Sequence, residues 1–509
     1  MKIWNKIKSF FKRKGAKSTM SNNFYDESTL TQLYEDYTIS PFYINAQIGK
    51  RYYAGKNDIL DRKKYMIRET GISQELADAN NITYTTADLV EDTISPNNKI
   101  VTNFAKSIID QKCDYLLSKK ANYTMLEQNN NEIYLKYLEQ ILQDIDWEYN
   151  KLQIGKRASY SAVAWLHVYI ENNKLKTMIV PSEQVVPIWK DDLRQDVSAV
   201  LRVYDITDPN NPPENITIIE FWNEFGMQQY KVESDMLVQI QAGEDLYTMV
   251  SGAYQGANPD EQTFKWSRVP FIPFRNNTEL TTDVSMIKTQ SDNYDLINSE
   301  MSNVLQQNAN PVIAISNQGA QSLATIKHNM NLYGILATQE LENGGLGAQV
   351  LSFDINGDAV NAHLQRIKQN IIETSMSVNF DIDWTQPPSG VTLNILYRNL
   401  DIKCNGFEAE FNRSFKILQQ LIRDYANAFD NQNFTNTDVA NIKCVRDTIS
   451  NTSDTIEQLK NSKGLISNKT IMENHPLVND VEKELEQWNK EQDQEANRNS
   501  FSGFDKGAY

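Results

Sequence analysis

The chain has 509 residues, 40% hydrophobic and 23% charged, the composition of a folded protein long enough for about three domains. Its 66 acidic residues outnumber its 50 basic ones, for a net charge of −16. That excludes a protein that grips nucleic acid over a broad surface, because tight grip needs phosphate neutralisation, but it does not exclude one that lets nucleic acid pass. Cys113, Cys404 and Cys444 lie far apart, show neither metal spacing nor a disulfide framework, and point to a reducing compartment. No stretch approaches the roughly 18 apolar residues of a transmembrane helix.

In chain order, residues 1–17 are basic, with Lys2, Lys6, Lys8, Lys12, Arg13, Lys14 and Lys17 and no acid. Ile3, Trp4, Ile7, Phe10 and Phe11 would share one helical face, so the segment reads either as an amphipathic helix that docks on a membrane surface or a partner, or as a frayed basic arm. From Phe24 to Asp146 the pattern is mostly helical. The stripe Ile100, Phe104, Ile108, Ile109, Cys113, Leu116 and Leu117 predicts a helix over 98–119, with Ser95-Pro96-Asn97-Asn98 as its start. A second helix is predicted over 132–145. After Trp147, the short β-branched and aromatic runs 164–170, 176–180, 184–189, 197–204, 216–222, 228–232 and 236–240 read as one antiparallel meander. Val269-Pro270-Phe271-Ile272-Pro273-Phe274 reads as an extended connector, since each proline biases the preceding residue away from helix.

A helix is predicted over 283–307, with Ile287, Tyr294 and Met301 on one row and Ile297 and Val304 on the next. A helix of similar length is predicted over 358–378, carrying Leu364, Ile367, Ile371 and Val378. Between them lies a small α/β insertion with strands predicted at 312–315, 333–336 and 349–353. The helical pattern breaks at Asp381-Ile382-Asp383-Trp384-Thr385-Gln386-Pro387-Pro388-Ser389-Gly390, because Pro-Pro ends a helix and Ser-Gly supplies a turn. It resumes through Leu393, Leu396, Leu400, Cys404, Phe407, Phe411, Leu418, Leu421, Tyr425 and Phe429 as one helix of almost forty residues. Residues 438–446 read as a strand returning to the meander, the stretch from Ile456 to Trp488 as two or three short helices, and 490–509 as a polar, disordered tail.

The search for chemistry is negative. There is no phosphate-binding G-x-x-x-x-G-K-[ST] loop, no H-E-x-x-H pair and no G-x-S-x-G elbow, so neither a catalytic residue nor a cofactor or metal is expected. Asn343-Gly344-Gly345-Leu346-Gly347 reads as a turn, and His167, in an apolar strand, as a structural histidine. The carboxylates Asp283, Asp292, Asp295 and Glu300, on the first long helix, read either as a solvated face or, if several copies surround an axis, as a channel lining that repels phosphates. Lys288, Arg366 and Lys368 would then add weak phosphate contacts.

The passages RYYAGKNDIL (51–60), NKIVTNFAKSIIDQKCDYLLSKK (98–120), AWLHVYI (164–170), VPSEQVVPIWKD (180–191), VPFIPFRNN (269–277) and GLISNKTIMENHPLVNDVEKEL (464–485) together resemble the portal proteins of tailed double-stranded DNA bacteriophages, in the siphophage branch of Gram-positive hosts. The resemblance implies an α+β portal fold and a ring oligomer, typically of twelve subunits, at one capsid vertex of the virion, assembled in the host cytoplasm. Between the basic arm (1–23) and the polar tail (490–509), which are read from the residues alone, it implies a mixed α/β wing (24–270, with a return strand in 431–452), stem helices (271–308 and 355–380), a small α/β clip (309–354), a tunnel loop (381–391), a long connecting helix (392–430) and a helical crown (453–489).

Double-stranded DNA would pass through the channel. The clip would meet the terminase motor during packaging and a head-completion or adaptor protein afterwards, and the major capsid and scaffolding proteins would be further partners. In the loop, Asp381, Asp383, Trp384, Thr385, Gln386, Pro387, Pro388, Ser389 and Gly390 would face the DNA. Family loops are often glycine-rich, whereas this one carries Trp384, Pro387 and Pro388. The competing readings are a nuclease using clustered carboxylates with Mg²⁺, for which no compact cluster is visible, and a membrane- or partner-docked scaffold using the basic N-terminus.

Overall fold

A computed structural model of the chain describes residues 27–68, 88–125, 131–241, 264–308, 312–315, 348–351, 356–379, 390–447 and 452–492, with breaks at 94, 193, 195, 208–214, 224–225, 234–235, 265, 476, 479–480 and 482–483. The basic arm, the strand expected at 333–336, the glycine cluster at 343–347, the loop residues Asp381–Ser389 and the tail beyond 492 lie outside the described residues.

The first helices are α1 (Glu27–Thr38) and α2 (Pro41–Tyr53), followed by the hairpin pair β1 (Tyr65–Arg68) and β2 (Asp88–Glu91), then α3 (Phe104–Leu117), β3 (Asn122–Met125), α4 (Glu132–Asp144) and α5 (Trp147–Ser161). The strands β4 (Val163–Glu171), β5 (Lys174–Val180), β6 (Val185–Trp189), β7 (Val197–Thr207), β8 (Asn215–Trp222), β9 (Met227–Glu233), β10 (Met236–Gln241) and β11 (Phe271–Arg275) come next. The helix α6 (Asp283–Asn308) and the strands β12 (Val312–Ile315) and β13 (Ala348–Leu351) precede α7 (Gly357–Thr374), α8 (Gly390–Phe429), β14 (Ala440–Lys443), α9 (Thr452–Asn461) and α10 (Asn468–Glu473). The fold is mixed helix and antiparallel sheet, as expected.

The expected single meander is two sheets. Strands β6 to β10 form a consecutive antiparallel meander, whereas β4 and β5 join β11 in a separate sheet ordered β11-β4-β5. The stretch read as a connector is therefore an edge strand, with Pro273 opposite Trp165. Proline removes a ladder donor, so it is tolerated at an edge; Pro187 sits likewise in the edge strand β6. On β7, Ala199, Leu201 and Val203 alternate onto one buried face with Phe221 and Ile219 of β8, and Leu30 of α1 covers them with Tyr34 and Tyr37. The two sheets meet at aromatics: His167 stacks on Phe271 at 4.2 Å, and Trp222 lies edge-on to both rings, at 5.0 and 5.5 Å.

His167 is structural, as the sequence indicated. Its Nδ1 lies 3.0 Å from the Pro270 carbonyl, which can only accept, so Nδ1 carries the proton. Burial pushes its pKa down to about 3.

The chain divides into a larger unit, Met1–Ser377 with Asn405–Val445, and a smaller one, Val378–Cys404 with Arg446–Tyr509. In the larger unit, α8 from residue 405 onward is the central element. Phe411 and Phe415 pack on Trp147, Phe411 on Phe274, and the Ser414 hydroxyl donates to the Pro273 carbonyl at 2.6 Å. The predicted stripe is buried at Leu400, Cys404, Phe407, Phe411, Leu418, Leu421 and Tyr425. The return strand β14 pairs with β3, which the sequence reading missed, and not with the meander. All three cysteines are buried, and none of them is in a disulfide.

In the smaller unit, the first turns of α8 bury Tyr397 and Leu400, Arg446 lies 3.9 Å from Asp401, and Ser467 caps α10 by accepting from the Thr470 N–H at 3.2 Å.

Candidate functional site

The candidate site is the pair α6 and α7. At 26 residues, α6 is about 39 Å long at 1.5 Å per residue. Its apolar side packs against α7: Ile287 joins Ile367, Ile371 and Ile108 in a buried cluster, with Phe104, Tyr294 and Ile297 at its margin. The 3.6-residue period made this pairing legible.

The opposite, polar side of α6 is not bare. The Asp295 carboxylate accepts from the Thr102 N–H at 2.8 Å, the Ser299 hydroxyl oxygen from the Ile100 N–H at 2.9 Å, and the Asn303 carbonyl oxygen from the Asn98 N–H at 2.7 Å. Residues 98, 100 and 102 step by two along an extended chain, advancing about 6.6 Å per step. Residues 303, 299 and 295 step by four along a helix, advancing about 6.0 Å. The near-equality lets one helix face zip to every second amide of an antiparallel extended segment. This zipper corrects the helix expected over 98–119. Its first residues are held extended, and α3 begins only at Phe104, capped by Asn103, whose side chain accepts from the Lys106 N–H at 3.0 Å.

The zipper also redistributes the expected channel residues. Asp295 is buried, with a second hydrogen bond from Asn57 Nδ2 at 2.6 Å. Burial raises its pKa, against the two hydrogen bonds that favour the charged form. Asp283 is buried in an ion pair with Lys112 at 2.6 Å. Both carboxylates are buried within the subunit, unlike a solvated helix face.

Asp292 bonds the Tyr52 hydroxyl and Lys288, and Lys288 bridges Asp292 and Asp58, both at 2.6 Å. Burial opposes the Lys288 charge, but those partners outweigh it and hold its pKa above the usual ammonium value. Glu300 pairs with Arg62 and Lys64. A sequence periodicity cannot distinguish a charged face that meets solvent from one that meets a basic segment such as Arg62-Lys63-Lys64.

Arg366 on α7 is exposed and Lys368 half-buried. Arg366 lies on a cleft of 370 Å³ between α6 and α7, lined also by Thr289, Gln290, Asn293, His363, Ile367 and Asn370. No sequence motif singled out this group, because it draws on two helices some seventy residues apart. The clip expectation meets the described residues only where Val312–Ile315 pairs antiparallel with Ala348–Leu351. Of the loop, Gly390 is described, as the first residue of α8. Among the described residues, no group of three or more His, Cys, Asp or Glu could hold a metal, and no helix is long and apolar enough to cross a membrane.

Comparison with known proteins fits this architecture. A portal protein of Clostridium phage phiCD119 is 25% identical over 449 residues, covering 85% of this chain and 89% of that protein. A portal protein of Bacillus phage SPP1 is 24% identical over 455 residues, covering 88% of this chain and 84% of that protein. The family model "Phage portal protein, SPP1 Gp6-like" matches residues 40–498, which takes in both sheets, the α6–α7 pair, the long α8 and the C-terminal helices. The chain belongs to the SPP1 Gp6-like family of phage portal proteins.

Proposed function

We propose that the chain assembles as a ring, with twelve copies as the expected number, at one vertex of a phage capsid, and that double-stranded DNA enters and leaves the head through its bore. The observation that carries this reading is the family match over 40–498, which spans the sheets, the paired long helices and the C-terminal segment alike. In this assignment α6 and α7 are the stem, the insertion between them is the clip that meets the terminase motor and then a head-completion protein, and the segment after Thr452 is the crown. Capsid and scaffolding proteins meet the outer surface of the wing.

The channel surface falls to the exposed side of α7 around Arg366 and to the loop Asp381–Gly390, since α6 spends Asp283 and Asp295 inside the subunit. Trp384, with Asp381 and Asp383 beside it, contacts or gates the DNA. Such a machine works by symmetry, shape and charge, and no residue is assigned a catalytic role. Negative-stain electron microscopy of the purified full chain, with its mass in solution, tests the reading. Rings of about a dozen copies with a central hole are expected; a chain that stays monomeric even with its capsid and scaffolding partners overturns it.

A further inference from the structure

The segment after β14 has an unusual surface. Among the residues of 446–447 and 456–492 whose burial is described, none is buried. Leu465 is 84% exposed, Leu477 73% and Ile466 43%, while Val481, Leu485 and Trp488 are half-exposed at i, i+4 and i+7, the spacing of one helical stripe. So much uncovered apolar surface marks an interaction site.

The segment has two parts of opposite character. Residues 460–469 (KNSKGLISNK) carry three lysines and no acid, with Leu465 and Ile466 at the tip. The turn is preformed: Gly464 sits at φ +90° with nothing near its missing Cβ, a conformation that suits glycine. Lys463 bridges Ile466, and Ser467 caps the helix that follows. This is a basic knob with an apolar tip. Residues 484–492 (ELEQWNKEQ) carry Glu484, Glu486 and Glu491 against the single Lys490, and these glutamates are exposed beside the Leu485 and Trp488 stripe. This is an apolar stripe with an acidic border.

We propose that the knob of one copy seats on the stripe of the next. Leu465 and Ile466 cover Leu485 and Trp488, and Lys460, Lys463 and Lys469 face Glu484, Glu486 and Glu491. The occupant is a second copy of this chain because both halves of the complementary pair lie on the same chain, and the tip of the knob stands open in the isolated subunit. A contact between two different patches is head-to-tail, the kind that closes into a ring when its rotation permits. The inference rests on the ring reading above and adds which surface joins neighbours and with what chemistry.

Two experiments on the full chain test it. In the first, Lys460→Glu, Lys463→Glu and Lys469→Glu are combined, as are Glu484→Lys, Glu486→Lys and Glu491→Lys. Each triple reversal is expected to raise the concentration needed for rings about tenfold at low salt, and all six together to restore it, because complementary charge is re-established. In the second, Leu465→Cys with Trp488→Cys is oxidised mildly; the native cysteines are buried, so a ladder of covalent oligomers is expected. Rings that form normally in both triple reversals, or form while the cysteine pair gives no ladder, overturn the knob contact and leave the ring reading intact. A wild-type chain that never leaves the monomer overturns the ring reading, and the knob contact with it.

Discussion

Lys112 is nearly inaccessible, yet its ammonium is surrounded: Asp283 lies at 2.6 Å, the Asn276 Oδ1 at 2.7 Å, and the Phe407 ring centroid at 4.6 Å. A buried pair of this kind adds little over a well-packed apolar pair, because desolvation offsets most of the attraction, but breaking it leaves an uncompensated charge. Lys112→Met or Asp283→Leu alone is therefore expected to lose about 3–5 kcal/mol, and the double variant to recover most of that loss. Denaturant unfolding of the four proteins measures it; a double variant as unstable as the worse single would show that the pair does not act as a unit. The sequence made His167 legible, because an imidazole flanked by apolar strand residues has few other fates. It left Asp283 ambiguous, because the lysine that neutralises it is 171 positions away.

At the scale of elements, the zipper between α6 and residues 98–102 explains what the sequence hid. Periodicity correctly placed α6, α7 and nearly all of α8, since their apolar stripes repeat over many turns. It failed at three short segments. Residues 98–103 look helical by composition but are held extended by side chains from α6. The run Phe271–Arg275 looks like a connector because of Pro273 but finds an edge position in a sheet. The strand Asn122–Met125 is only four residues long, and its partner lies more than three hundred residues away. Each is fixed by a partner distant in sequence, which local pattern cannot report.

The zipper also makes separable demands on its residues. Ser299→Ala leaves the half-buried Ile100 N–H without its acceptor and should cost about 1 kcal/mol. Asp295→Asn should cost less than Asp295→Ala, because the Asn57 Oδ1, now buried without a partner, can turn to meet the new amide while Thr102 keeps its acceptor. Thermal unfolding of the three variants, with amide exchange at Ile100 and Thr102, checks this. Equal losses for Asn and Ala would mean that Asn57 does not reorient.

For the whole molecule, the net charge of −16 has to be reconciled with a path for DNA. Phosphate contacts confer affinity in proportion to the number neutralised, so a bore rich in lysine and arginine would hold DNA rather than pass it. In this chain the cations of α6 and its neighbours are already neutralised: Lys288 by Asp58 and Asp292, and Arg62 and Lys64 by Glu300. The subunit thus spends its charges on its own cohesion and leaves the DNA few places to adhere. We propose that contact then falls on the loop Asp381–Gly390, whose sequence offers two acids to repel phosphate and Trp384 as a broad apolar face. The two prolines limit the conformations the loop can take, which suits a part that must hold a fixed distance from a moving duplex. Replacing the loop with an equal length of Gly-Ser removes the ring, the acids and the stiffness together while leaving the apolar stripe of α8 untouched. Rings of normal mass are expected from this variant, but with packaging or retention of the genome lost in infected cells. Heads filled and held at wild-type levels would show that the loop is a spacer, and the DNA contact would then have to be sought along the exposed side of α7 around Arg366.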